Sequence, residues 1–309
     1  MFVGIDISKS RLDVALIPTG EVFSHANDEA GIEAIVQALA GRVVDRVVVE
    51  ATAGYQISLV AGLAAAGHPV VVVNPRQVRQ FGRAIGQLAK TDAIDAMLLA
   101  RFAEAVRPAV RPLCDEQTLQ LDAVLSRRRQ LVDMLTAERN RLGLARAVKV
   151  RHSLQKSIEW LRAQIKELDT DLDRTIRDST VWREQEDLLT SVPGVGKILS
   201  RTLIAALPEL GKLDRRQVAA LVGVAPYNHD SGSLRGRRFI SGGRGDVRSV
   251  LYMATVAGLR CNRAIRALYL RLVAAGKPTK VAITACSRKL LTILNAIART
   301  KQPWQELPA

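Results

Sequence analysis

The chain has 309 residues, 48% of them hydrophobic, which supports packed cores in two domains and excludes a disordered tail. Its 45 lysines and arginines against 30 acids give a formal net charge of +15, which points to a polyanionic partner: nucleic acid first, an anionic membrane surface second. The three cysteines, Cys114, Cys261 and Cys286, are too far apart for a disulfide frame or a zinc site and read as reduced thiols in a cytoplasm.

The charge is uneven. Residues 1–105 hold 9 Lys+Arg and 11 Asp+Glu, a net of −2, and the remainder holds 36 and 19, a net of +17. That division predicts a cation site in front and phosphate contacts behind. The opening MFVGIDISKS lacks the basic and apolar regions of a signal peptide. The most apolar window, LVAGLAAAGHPVVVV, is broken by two glycines, His68 and Pro69, and falls short of a membrane span. Membrane binding is therefore disfavoured and a cytoplasmic location expected.

In chain order, FVGIDI (2–7), RLDVALI (11–17) and EVFSHAN predict an antiparallel meander. EAGIEAIVQALAGR has helical spacing at Ile32, Ile35, Val36 and Leu39. VDRVVVEA then reads as a buried strand, ISLVAGLAAAG as a helix and HPVVVVN as another strand, so a sheet with covering helices is expected. In KTDAIDA, residues 90–96, Thr91 has the character of an N-cap, with Asp92 and Asp95 in the first helical turn. The helix dipole alone accounts for acids in that place, each stabilised by roughly 0.3–1 kcal/mol.

From about residue 115 the pattern becomes helical. Leu154, Ile158, Leu161, Ile165, Leu168 and Leu172 follow 4-3-4-3-4 spacing, a coiled-coil seam preceded by a looser set from Leu121 to Leu142. Residues 115–180 are read as a long helical hairpin turning near Gly143, serving as a spacer or a dimerisation arm. SVPGVGKILSRTLIAAL, residues 191–207, looks like a helix-hairpin-helix motif in which Gly194 and Gly196 admit a phosphate at a helix start and Lys197 faces it. Glycine turns also join helices with no ligand, so this signal is weak by itself.

Residues 225–256, APYNHDSGSLRGRRFISGGRGDVRSVLYMATV, carry Arg235, Arg237, Arg238, Arg244 and Arg248 among glycines, a composition suited to gripping phosphate or to a merely exposed loop. Ser231 lies beside His229 and Asp230, but adjacency in sequence does not build a catalytic triad.

Acids are placed more tellingly. Asp6 lies within an apolar strand, where an ionised carboxylate is costly unless paired or bound to metal. Glu50 ends VVVE. Pairing of Asp6 with Arg11 or Lys9, a strand-end charge at Glu50 and capping at Asp92 and Asp95 would explain each singly. With strands ordered as in ribonuclease H, all four converge at one end of the sheet. Two like charges 4 Å apart repel by about 4 kcal/mol at an effective dielectric of 20. A pair of Mg²⁺ or Mn²⁺ ions removes that penalty and suits phosphoryl transfer.

With these motifs assembled, the whole chain resembles the transposases of the insertion-sequence "one-ten" type, related to the Piv DNA invertases. GIDISK, VVVEATAGY, KTDAIDA, SVPGVGK and LVGVAPYNHDSG…RGRR…GGRGDVR carry the resemblance. It implies an α/β plus α architecture: a RuvC-like domain of the ribonuclease H superfamily (1–108), a helical coiled-coil connector (109–185) and a mostly helical transposase domain (186–309). It implies an Asp-Glu-Asp-Asp (DEDD) metal set at Asp6, Glu50, Asp92 and Asp95, and a serine nucleophile at Ser231, with Ser233 and Ser241 as rivals. It further implies a composite site between subunits of a homo-oligomer, dimer or tetramer, and a covalent phosphoserine intermediate. A structured non-coding (bridge) RNA would pair with donor and target DNA. Delegating sequence choice to base pairing fits a chain rich in arginine with only 4% aromatic residues. Two other functions compete: a junction resolvase whose acids activate water without a covalent intermediate, and an architectural DNA-binding protein using the basic part alone.

Overall fold

Alternation along FVGIDI makes Phe2–Ile7 the central strand, β1, of a five-stranded sheet. In this computed structural model, residues 1–52, 54–89, 91–110 and 115–305 are described, with the backbone alone at 234 and 235. Cys114 and the last four residues of the tail lie outside them. The chain forms two units, Met1–Leu113 and Cys114–Ala309.

In the first unit β2 (Arg11–Ile17) pairs antiparallel with β1, and β3 (Val22–Ala26) antiparallel with β2. On the other side β4 (Arg46–Glu50) runs parallel to β1, and β5 (Val70–Val73) parallel to β4. The order is therefore β3-β2-β1-β4-β5. Parallel pairing requires crossovers, which α1 (Glu29–Leu39) and α2 (Ile57–Ala65) help to supply. Val3, Ile5 and Ile7 face these helices and form a fully apolar core with Leu12, Val14, Val47, Ile35 and Leu59. Phe2, Gly4 and Asp6 face the other way, toward α3 (Pro75–Ala84) and α4 (Asp92–Val106). The expected elements are present. Helix α3, absent from the sequence reading, is capped by Asn74, whose side chain accepts from the Arg76 amide at 2.9 Å, and starts on Pro75.

The second unit opens with α5 (Glu116–Leu144) and α6 (Val148–Asp178), folded back on each other. Leu131 and Leu135 meet Ile158 and Leu161, while Leu121 and Leu125 meet Leu172 and Ile176 nearer the root. Ile165 and Leu168 are partly buried between them, so much of the predicted seam is satisfied by the same chain's own helix. Arg128 and Asp169 clamp the pair through two bonds of 2.5 and 3.1 Å. The turn falls at Ala145–Ala147 and Gly143 stays helical, because Arg151 reaches back to the Leu142 and Ala145 carbonyls at 3.1 and 3.0 Å.

Helices α7 (Thr180–Thr190), α8 (Lys197–Ala206), α9 (Arg215–Val222), α10 (Gly245–Cys261), α11 (Arg263–Ala274) and α12 (Thr279–Thr300) build the remaining core. Among the described residues α12 alone is long and apolar enough to cross a membrane, and half of its apolar window is buried, with Cys286, Leu290, Leu291 and Leu294 in that core. Trp304 packs against the same core.

Candidate active site

The geometry of the acids starts at Gly4. A Cβ there would stand 2.2 Å from both the Ala100 amide nitrogen and the Ala96 carbonyl oxygen, so glycine alone lets α4 lie directly on β1. Ala15 of β2 packs with Ala96 and Ala100 and continues this close approach. Phe2 packs in one cluster with Leu99 and Phe102, while Gly4 meets Ala96 and Ala100, so α4 runs back along β1. Its first turn consequently arrives over Asp6.

Asp6 is the fifth residue of β1, near its end and not its middle, and is half-buried. Ile5 is in register with Val49, so Glu50, half-buried at the end of β4, stands beside Asp6 on the neighbouring strand. Thr91 caps α4 as its sequence predicts, its side chain accepting from the Ile94 amide at 3.3 Å. Asp92 is exposed and Asp95 half-buried in that turn. Capping and convergence are thus compatible readings of KTDAIDA. Burial raises the Asp6 carboxyl above its ordinary range, and Asp95, Asp92 and Asp13 raise it further against a backbone bond at Ile7. Asp6 does not take Arg11 as its partner. Arg11 pairs with Asp13 at 2.8 Å.

Asp13 is the acid that sequence reasoning missed. It is the register partner of Asp6 and only 4% exposed, yet inside RLDVALI it has the look of an ordinary strand polar residue. Arg11 neutralises it. Asp6, Glu50, Asp92 and Asp95 offer hard oxygens, the donor chemistry that suits a divalent cation, and Asp95 and Asp92 repel the Asp6 carboxylate. Among the described residues no three such side chains are already gathered into a cage.

In the second unit, Gly194 has φ +94°, and a Cβ on it would lie 2.5 Å from Gly258 Cα in α10. That glycine serves packing, and Asn262 adds a bond to the Pro193 carbonyl at 3.2 Å. Gly196 faces open space. Lys197 is exposed but pairs with Asp173 at 2.9 Å, beside Arg201. Arg201 is 2% exposed and joins Glu186 at 2.7 Å and Asp173 at 2.5 Å, pinning α6, α7 and α8 together.

Ser231 stands on a projecting hairpin. β6 (Asp230–Ser231) and β7 (Leu234–Arg235) pair antiparallel, with Ser231 opposite Leu234 and Gly232 at φ +55° in the turn. Below them Tyr227 donates to the Phe239 carbonyl at 2.9 Å, and Gly236 to the Asp230 carboxylate at 3.1 Å. Ser231 and Ser233 are exposed at the tip, with Ser241 exposed farther along. The His229 ring lies against Phe239, centroids 5.4 Å apart, and among the described residues the Ser231 hydroxyl has no hydrogen-bond partner.

The five loop arginines divide. Arg244 grips Glu209 at 2.6 and 2.7 Å and the Ala206 carbonyl at 2.8 Å. Arg248 donates to the Gly242 and Val222 carbonyls at 2.6 and 3.2 Å. Both are spent holding the root of the hairpin. Arg237 and Arg238 are exposed and unpaired among the described residues, and the Arg235 side chain lies outside them. Asp246, in the first turn of α10, pairs with Arg129 of α5 at 3.2 Å.

Hard oxygens at a strand end and, separately, an exposed alcohol in an arginine-bearing hairpin are groups suited to phosphate chemistry on a polyanion. Residues 3–145 match an IS110-type DEDD family model described as a transposase, and residues 186–270 match one described as the transposase IS116/IS110/IS902 family. The chain belongs to the IS110 family of transposases and is a DNA recombinase. It is 27% identical to the pilin gene-inverting proteins of Moraxella bovis and Moraxella lacunata, over 99% of this chain and 98% of each relative. It is 26% identical to the insertion element IS116 uncharacterized 44.8 kDa protein of Streptomyces clavuligerus, over 100% of this chain and 97% of that one.

Proposed function

We propose that this protein is the transposase of an insertion sequence, moving its own element between donor and target DNA under the guidance of a structured bridge RNA. The observation that carries the reading is the meeting of Asp6 and Glu50 with the acidic first turn of α4, where Asp95 and Asp92 make a proton harder to remove from Asp6. A mixed sheet with its first three strands antiparallel and two more parallel supports the RuvC-like assignment of this unit. Asp6, Glu50, Asp92 and Asp95 would hold Mg²⁺ or Mn²⁺, which when bound supplies charge neutralisation at the reacting phosphate.

Ser231 is exposed and, among the described residues, its hydroxyl has no hydrogen-bond partner, as a site completed by another element requires. Its Oγ attacks the phosphorus of a DNA strand and gives up its proton. The bond from phosphorus to the leaving deoxyribose oxygen breaks, and that oxygen takes up a proton. A second strand end reverses the exchange, restoring a phosphodiester and freeing the serine. The acidic set comes from a second subunit of a homo-oligomer, with α5 and α6 as its coiled-coil arm. Arg237 and Arg238, with Lys197 at the glycine turn, hold nucleic-acid backbone, and the protein works in the cytoplasm.

Incubation with cognate DNA, bridge RNA and Mg²⁺ tests the reading. Wild-type protein yields joined product, and Ser231→Ala yields neither product nor cleavage. Continued cutting by Ser231→Ala would instead establish the water-activating, resolvase-like reaction.

A further inference from the structure

The net charge of the first unit conceals a strongly basic face. Helix α3 carries Arg76, Arg79 and Arg83, separated by three and four residues and therefore aligned on one side. All three are exposed, and none has an ion-pair or hydrogen-bond partner for its guanidinium among the described residues. The opposite side is anchored. Val78 is buried, Phe81 meets Phe102 of α4 edge to face with centroids 5.5 Å apart, and Gly82 admits Leu98 so closely that a Cβ would lie 2.9 Å from its side chain. The arginine row is thus held on a fixed element, with its direction set by packing on α4.

Four other cations of this unit are used locally. Arg11 pairs with Asp13, Arg42 with Glu21 and Arg46 with Asp45, while Arg107 lies over the Phe2 ring. Like charges three and four residues apart on a helix repel, and Arg76 sits in the first turn, where the helix dipole disfavours a cation. Fold stability accounts for neither feature; a polyanion laid along the row relieves both.

The location identifies that polyanion. Val73 is the register partner of Glu50, and Asn74 and Pro75 start α3 directly after it. The helix therefore departs from the same end of the sheet that carries Asp6 and Glu50. From Arg76 to Arg83 the axial distance is about 10 Å, the length of roughly three steps of a DNA strand.

We propose that the Arg76–Arg79–Arg83 face of α3 binds the phosphate backbone of the DNA strand and leads it into the carboxylate end of the sheet. This rests on the strand-transfer reading of the acidic set, and it adds a DNA-binding surface to the unit whose sequence carries no net positive charge. The arginines are positioning residues, and the strand they hold is recognised by its backbone without base contacts.

The test measures binding of full-length protein to labelled duplex DNA, and separately to single-stranded RNA, over a range of salt concentrations. For Arg76→Gln/Arg79→Gln/Arg83→Gln the plot of log affinity for DNA against log salt becomes shallower by about 2–3, at close to 0.9 per lost phosphate contact. The matching triple Arg→Lys variant keeps the wild-type slope. Arg79→Gln alone lowers the slope by about 0.9, which preserves the test should the triple variant fold poorly. An unchanged DNA slope in these variants, or a loss confined to RNA, overturns the proposal. Wild-type protein that binds no DNA at all would instead undo the functional reading on which it rests.

Discussion

Gly4 and Ala100 meet backbone to backbone: a Cβ on Gly4 would be 2.2 Å from the Ala100 amide nitrogen. This contact fixes how near α4 lies to β1, and hence how near Asp92 and Asp95 come to Asp6. Gly4→Ala must lift the helix, since neither neighbour is a side chain that can turn away. Overpacking of this kind costs about 1–3 kcal/mol. The expected result is a folded protein, less stable by that amount in denaturant titration, with strand transfer reduced far more than its folded fraction. Wild-type activity in Gly4→Ala would remove the positioning role.

Asp6 provides a pH test. Its proton is held more tightly in the folded chain than in the unfolded one, where the ordinary value is 3.8. The sign follows: stability from this group is present below that value and is lost as pH rises through the raised folded pKa. Asp6→Asn should therefore melt higher than wild type at pH 7 without divalent ions, and the advantage should vanish toward pH 3. Mn²⁺ should raise the melting temperature of wild type and leave Asp6→Asn nearly unmoved. A lower melting temperature for Asp6→Asn at pH 7 would contradict the repulsion described here.

Ser231 is exposed and unbonded at a hairpin tip, so Ser231→Ala should change stability by no more than about 0.5 kcal/mol. Its loss of joined product would then be chemical. Ser233→Ala and Ser241→Ala, equally exposed, should retain activity in the same assay. Activity surviving in Ser231→Ala but not in Ser241→Ala would move the nucleophile.

The loop arginines should separate into two phenotypes. Removing Arg244 leaves Glu209 without its two guanidinium bonds, and Arg244→Ala should cost about 1.5–3 kcal/mol in chemical denaturation. Arg237→Gln and Arg238→Gln should leave stability unchanged while each makes the salt dependence of DNA binding shallower by about 0.9. The reverse assignment would show that the root is flexible and the tip structural.

Arg201, 2% exposed between Glu186 and Asp173, holds the hairpin helices to the core. Arg201→Ala leaves the largely covered Glu186 carboxylate without its cation and should cost about 3 kcal/mol. An equilibrium unfolding curve superimposable on wild type would refute that role.

Much of the first unit was legible because FVGIDI alternates, VVVE and VVVV are unbroken apolar runs and the turns carry glycine, and Thr91 announced α4 correctly. Helix α3 was not, since PRQVRQFGRA has only Val78 and Phe81 as large apolar residues and its anchoring glycine makes no hydrophobic signal. Charge summed over residues 1–105 then hid its arginines behind acids placed elsewhere. Asp13 was missed because a strand does not reveal which polar residue will be sealed by the one beside it. In the second unit the seam from Leu154 to Leu172 predicted a hairpin well. Composition could not distinguish Arg244, bonded to Glu209 from a distant segment, from Arg237 at the exposed end.

The most direct test of the central claim, that the acids at the strand end drive capture of a DNA strand by the hairpin serine, is peptide mass mapping of the reaction intermediate. Wild-type protein quenched in Mg²⁺ with cognate DNA and RNA should yield a nucleotide-bearing phosphoserine at Ser231, and Asp6→Asn should yield none. A modified Ser231 in Asp6→Asn at the wild-type level, or an adduct on another residue, would contradict it.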